Sequence, residues 1–418
     1  MNMTIRVQLS IMMFVQFFVW GAWFVTMGNY LGAGLKFDPS DIGRAYTTTG
    51  YAAIVSPLFI GMIADRFFSA QHVMGILHLV GAGLMYWAST ITTPGMFFLV
   101  LLAYTICYMP TIALVNSISF NQMTNSEKEF PGIRVMGTLG WIAAGLTISG
   151  LGKIGFEGIE ATATPFKMAA IASLVMGVLS FSLPDTPPKG KGKKASVVDL
   201  LGLDAVTLMK DRSFAIFTIS SLLICIPLAF YYSFANLFLN DSGMVDVAGK
   251  MTFGQMSEVG FMLLMPFFFK RLGIKKTILI GMLAWTVRYA LFAYGNNDSL
   301  VFMFYAGILL HGICYDFFFV TGQIYVDKEA PEEMRSNAQG FFALTTYGIG
   351  MVIGNEIAGR WAAGLTSSTE KMVDGVATQV AVYDWEKIWM LPAVMAIVIV
   401  LGFALFFKEP TGEKHTQS

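Results

Sequence analysis

Twelve long apolar runs constrain this chain more than any other feature. They fall near residues 9–31, 43–64, 71–91, 96–122, 133–152, 165–183, 214–239, 251–269, 274–295, 300–326, 338–364 and 387–407. A helix needs about 20 such residues to cross the hydrocarbon core of a bilayer, so each run reads as a membrane-spanning helix. Thr93-Pro94-Gly95, Asn296-Asn297-Asp298 and Ala330-Pro331 supply turns between them. The first run stands where a signal peptide would. It is too long for one and holds Trp20, Trp23 and Asn29, with no small-residue cleavage site after it, so it reads as an uncleaved first helix.

Composition narrows the function. The chain is 55% hydrophobic and 13% charged, against about 25% charged in a soluble domain, which argues against a soluble enzyme. Lys+Arg and Asp+Glu balance at 27 each, so the basic surface of a nucleic-acid binder is missing. Cys107, Cys225 and Cys314 sit inside apolar runs, and the four His are scattered. Neither a disulfide framework nor a metal site is expected, nor any cofactor.

The chain is duplicated. Pro184–Lys194 (PDTPPKGKGKK) is polar, basic and rich in Pro and Gly, with six runs on each side. Ile106-Cys107-Tyr108 recurs as Ile313-Cys314-Tyr315, and Pro57-Leu58-Phe59 as Pro266-Phe267-Phe268. Both offsets are close to half the chain, and each match joins corresponding runs. Six runs per half is even, so both halves insert the same way up. The expected fold is an all-α membrane protein of twelve transmembrane helices in two six-helix halves. This is the parallel-repeat arrangement of major facilitator transporters. The expected units are 1–183, a linker at 184–213 with a short interfacial helix, 214–407, and a tail at 408–418. Lys189, Lys191, Lys193 and Lys194 in the linker dominate the basic bias, which puts the linker and both termini in the cytoplasm. Gly61-Met-Ile-Ala-Asp65-Arg66 resembles the superfamily's G-x-x-x-D-R loop signature, so Gly61, Asp65 and Arg66 are read as a conformational motif.

Ionisable residues inside membrane spans are costly and mark function. Arg134, Thr138 and Trp141 fall at i, i+4 and i+7 on span five and share a face that can bond and stack a planar polar ligand. Gln255 and Glu258 share a face of span eight, where Glu258 can pair with Arg134 or accept ligand hydroxyls. Span ten carries His311, Tyr315 and Asp316 in HGICYDFFF. Aromatic surroundings disfavour the charged form of a carboxylate, which suits Asp316 to carrying a proton. Pairing with Arg288 is the structural alternative for both Asp316 and Glu258. His78 reads as a bonded core histidine, and Glu356 with Arg360 as an intrahelical pair.

These segments together resemble the nucleoside:proton symporter family, the bacterial nucleoside permeases. They are Trp20-Gly21-Ala22-Trp23, Phe130–Thr138, Leu201–Ala205, Gln255–Glu258, Tyr315–Phe318 and Ala338-Gln339-Gly340. The resemblance implies a nucleoside site between the halves. It makes Arg134, Thr138, Trp141, Gln255 and Glu258 substrate contacts and links Asp316, with Glu258 as runner-up, to proton coupling. The family pattern has amides on span seven where this chain has Ala229 and Tyr232, and a tyrosine where it has His311. Tyr232, His311 and Tyr315 complete the expected substrate set.

The expected function is proton-coupled nucleoside symport by alternating access, in a monomer of the bacterial inner membrane. The nucleoside, the proton and the lipid bilayer are its partners, with no nucleic acid. A transporter of another polar solute such as a sugar, and a non-transporting sensor on the same fold, are the competing readings.

Overall fold

The computed structural model describes residues 1–59, 68–188, 197–373 and 376–408. Gly61, Asp65, Arg66 and the linker lysines Lys189, Lys191, Lys193 and Lys194 lie outside the described residues.

The chain folds into long helices at the expected places. They are α1 (Met3–Phe24), α2 (Pro39–Phe59), α3 (Ala70–Ala88), α4 (Pro94–Asn121), α5 (Ser126–Lys153), α6 (Thr164–Ser180) and α7 (Arg212–Asp241). Helices α8 (247–272) and α9 (274–294) run on as Val247–Tyr294, broken where Gly273 takes φ 70°. Then come α10 (Val301–Glu329), α11 (Glu332–Gly364) and α12 (Trp385–Phe406). Side chains such as Leu146, Val178, Leu263 and Leu405 stand exposed on the outer surface, as a lipid-facing bundle requires.

Two elements refine the sequence reading. The linker holds a helical turn at Val197–Leu200 and a 3-10 segment at Leu203–Lys210, in place of one longer helix. Gly202 (φ 67°) lies so close to Asn337 of α11 that a Cβ would strike its carbonyl. Between α11 and α12 stands an antiparallel hairpin, β1 (Thr366–Val373) with β2 (Val376–Tyr383), pairing Thr366 with Tyr383. Its sequence signal was Asp374-Gly375 between β-branched runs.

The hairpin marks one face of the bundle, and Met1, the described part of the linker at Leu203–Lys210 and the end of α12 mark the other. At the hairpin face the halves are bonded together. Glu160, in the turn before α6, accepts from Asn236 Nδ2 (2.8 Å) and Asn240 Nδ2 (3.2 Å) of α7 and from Ala248 N (3.0 Å) of α8. Asp246 answers from the other half, accepting from Ser149 Oγ (2.9 Å) and Lys153 Nζ (3.2 Å). Nearby the helices nearly touch. A Cβ on Gly28 would strike the Ser233 carbonyl, and one on Gly43 the Asn355 carbonyl.

Candidate functional site

The site wall in the first half is built on α1 and α5. Glycines allow their close approach: a Cβ on Gly21 would sit 3.1 Å from Trp141 Cα, and one on Gly140 would strike the Phe14 carbonyl. This packing turns Trp141 edge-on to Trp20 (centroids 5.5 Å) and sets the Arg134 guanidinium 4.5 Å over the Phe17 ring. Arg134 lies two turns inside its helix. Thr138 is half-buried between them. Trp141 and Gln255 line one small cavity between the halves, with Gly21, Gly145, Met251 and Thr252.

The opposing wall is built on α7, α8 and α10. Ser257 Oγ accepts from Gly312 N (3.1 Å) and donates to the Leu309 carbonyl (2.8 Å), which pins α8 to α10. A Cβ on Gly312 would lie 2.6 Å from Glu258 N, and one on Gly254 would lie 3.1 Å from His311 Cβ. These small residues bring His311 Nε2 to 3.8 Å from the Glu258 carboxylate. The His311 ring stacks on Tyr231 (5.6 Å) and on Tyr315 (6.1 Å), and Tyr347 Oη donates to Tyr315 Oη at 3.2 Å. Tyr232 crosses to the first half and meets Phe24 edge-on at 5.4 Å.

Arg134 and Glu258 come from opposite halves, on the two helices whose Trp141 and Gln255 line the shared cavity. Among the described residues no ion pair joins Arg134 to Glu258. The carboxylate meets His311 Nε2 instead, and the guanidinium lies on the Phe17 ring. Asp316 is fully buried, and its two carboxyl oxygens have no hydrogen-bond partner among the described residues. It opens a π-helical turn, Asp316–Val320, in α10, and a second such turn, Leu344–Gly350, carries Tyr347 in α11. Such turns concentrate at functional sites. Arg288 pairs with neither Glu258 nor Asp316, contrary to the structural alternative. Among the described residues no cluster of three His, Cys, Asp or Glu side chains is placed to hold a metal.

Other polar residues are spoken for. His78 is bonded on both ring nitrogens, to Ser173 Oγ (2.9 Å) and Gln16 Oε1 (2.8 Å). Glu356 and Arg360 pair within α11 at 2.6 Å. Asn236 belongs to the hairpin-face seam, and Gln339 donates to the Gln323 carbonyl at 2.7 Å, tying α11 to α10. Sequence reasoning missed Phe24, Tyr231 and Tyr347 as members of the walls. Their types carry no signal inside apolar runs, although Tyr231 adjoins Tyr232.

The profile of the family described as Nucleoside H+ symporter matches residues 3–412. YegT of Escherichia coli (strain K12) is 46% identical over 409 residues, covering 97% of this chain and 94% of that protein. The nucleoside permease NupG of the same organism is 34% identical, covering 97% of this chain and 96% of that protein. The crystal structure of the nucleoside transporter NupG superposes with a TM-score of 0.84 at 34% identity, over 98% of this chain and 100% of that one.

Proposed function

The chain belongs to the nucleoside H+ symporter family, and from that premise we propose that it imports nucleosides with protons across the bacterial inner membrane. The linker face is cytoplasmic, and the two halves rock about a site between them. The observation that carries the assignment of the site is that Trp141 of one half and Gln255 of the other line one cavity, with Arg134 two turns and Glu258 one turn away on the same helices. A ligand with donors at one end and acceptors at the other suits both Arg134 and Glu258, and a nucleoside is such a ligand. Its hydroxyls donate to Glu258 and Gln255. Its base carbonyls accept from Arg134 and Thr138, and its ring packs on Trp141, Tyr232, His311 and Tyr315. Asp316 carries the proton. In a buried setting without partners, the neutral carboxyl is the form tolerated, so its loading and unloading tie the proton to the swing of α10. No cofactor enters this cycle, and one chain suffices for it.

The test is uptake by purified protein in vesicles under an imposed inward pH gradient, with uridine, adenosine and simple sugars supplied separately. Nucleosides are expected to accumulate above their outside concentration, and a protonophore is expected to abolish this. Accumulation of sugars alone, or of nucleosides without response to the gradient, would overturn the reading.

A further inference from the structure

Behind the second wall lies a charge that the proposed cycle does not use. Arg288, on α9, is fully buried, and its three guanidinium nitrogens find no hydrogen-bond acceptor among the described residues. Its guanidinium carbon lies 4.2 Å over the face of Tyr231. Tyr231 is itself buried, its hydroxyl unpartnered, and it stacks on His311 at 22° between the ring planes. His311 turns Nε2 to Glu258. A cation held on an aromatic face gains from the ring quadrupole. That gain does not offset the removal of a charge from water, and a well-packed apolar side chain would be as stable there or more so. Packing alone therefore gives no reason for arginine at 288. The column Arg288–Tyr231–His311–Glu258 gives one. We propose that Arg288 is a positioning residue for substrate binding: it clamps Tyr231, which orients His311, which holds the Glu258 carboxylate toward the ligand. Residue 288 would thus set nucleoside affinity without touching the nucleoside. This rests on the reading of Glu258 as a substrate contact.

The experiment is a double-mutant cycle in the full-length protein with Arg288→Met, His311→Ala and the pair. Arg288→Met is expected to raise the nucleoside KM about tenfold, with the maximal exchange rate changed less than about threefold, as for lost uniform binding. In the His311→Ala background the same change is expected to alter KM less than about twofold, since the clamp has nothing left to orient. Thermal unfolding of Arg288→Met is expected at or above the parent's temperature. Equal KM factors in both backgrounds, no KM change in either, or a lower unfolding temperature would each overturn the proposal. A substrate-independent reading separates this from failure of the nucleoside assignment. In ligand-free protein with 15N-labelled histidine, Arg288→Met is expected to shift the ring-nitrogen signals of His311 and leave those of His78 in place. Unmoved His311 signals sink the clamp, whatever the protein carries.

Discussion

Two buried clusters, one around His78 in the first half and one around Arg288 in the second, handle polarity in opposite ways. In the first half, His78 on α3 bonds Gln16 and Ser173, Gln16 Nε2 donates to Thr111 Oγ1 (2.7 Å), and Tyr108 Oη donates to the Gln16 carbonyl (2.6 Å). Both ring nitrogens of that buried histidine have partners. In the second half, Arg288 on α9, the Tyr231 hydroxyl, His311 Nδ1 and both oxygens of Asp316 have none among the described residues. A satisfied network rigidifies its surroundings. Groups left without partners respond to whatever charge arrives. The His78 cluster is thus fixed in place behind α1, while the Arg288 cluster holds the groups that an arriving charge can still change.

The sharpest way to break this contrast is at Asp316. Asp316→Asn mimics the permanently loaded carboxyl. Gradient-driven accumulation is expected to vanish while nucleoside binding and exchange persist. Continued uphill uptake by this variant would put the proton site elsewhere. Next comes Glu258→Gln, which removes a charged acceptor. Hydrogen bonds to charged groups are worth about 1.5–3 kcal/mol, so nucleoside Kd is expected to rise roughly 10–100-fold. Titration calorimetry checks this, and an unchanged Kd removes Glu258 from the site. In the first half the expectation reverses. His78→Leu strands Gln16 Oε1, while Ser173 Oγ keeps the backbone carbonyl of residue 78, and is expected to cost about 1–3 kcal/mol of stability with KM unmoved. A large KM change there would erase the distinction between the two clusters.

The smallest effect is expected at the seam, outside the spans. Burial pushes the Glu160 carboxyl above its ordinary range, against the bonds from Ala248, Asn236 and Asn240. The closed seam therefore binds a proton more readily than the open one. Its contribution to closure is full below the ordinary carboxylate range and is lost as pH rises through the raised value. Labelling of a Thr252→Cys reporter from the hairpin face is expected to quicken as pH rises there, and Glu160→Gln is expected to flatten the dependence. Labelling insensitive to pH with Glu160 in place rules this out.

Much of the candidate site was legible in the chain because a bilayer makes polarity conspicuous. Gln255 with Glu258 and Arg134 with Trp141 are one-face pairs by helical spacing, and the structure sets one member of each, Gln255 and Trp141, on a cavity between the halves. Who meets whom was not legible. Arg288 had two carboxylates to choose from in the sequence and takes a tyrosine ring instead, because α9 packs behind α7 and α10. His311 reaches Glu258 only because Gly254 and Gly312 let α8 and α10 close up, and glycine inside an apolar run announces no partner.

The sequence by itself determined the environment, the number of spans, the duplication and the identity of the buried polar groups. Hydropathy and helical period are local properties that twenty consecutive residues suffice to express. The tertiary structure decided which of those groups are satisfied and which are left open. It also decided that the Glu160 and Asp246 carboxylates bond the halves together at the hairpin face. Hydrogen bonds and ring contacts act over a few ångströms between residues far apart in the chain, so only the packing of the helices against one another can assign them.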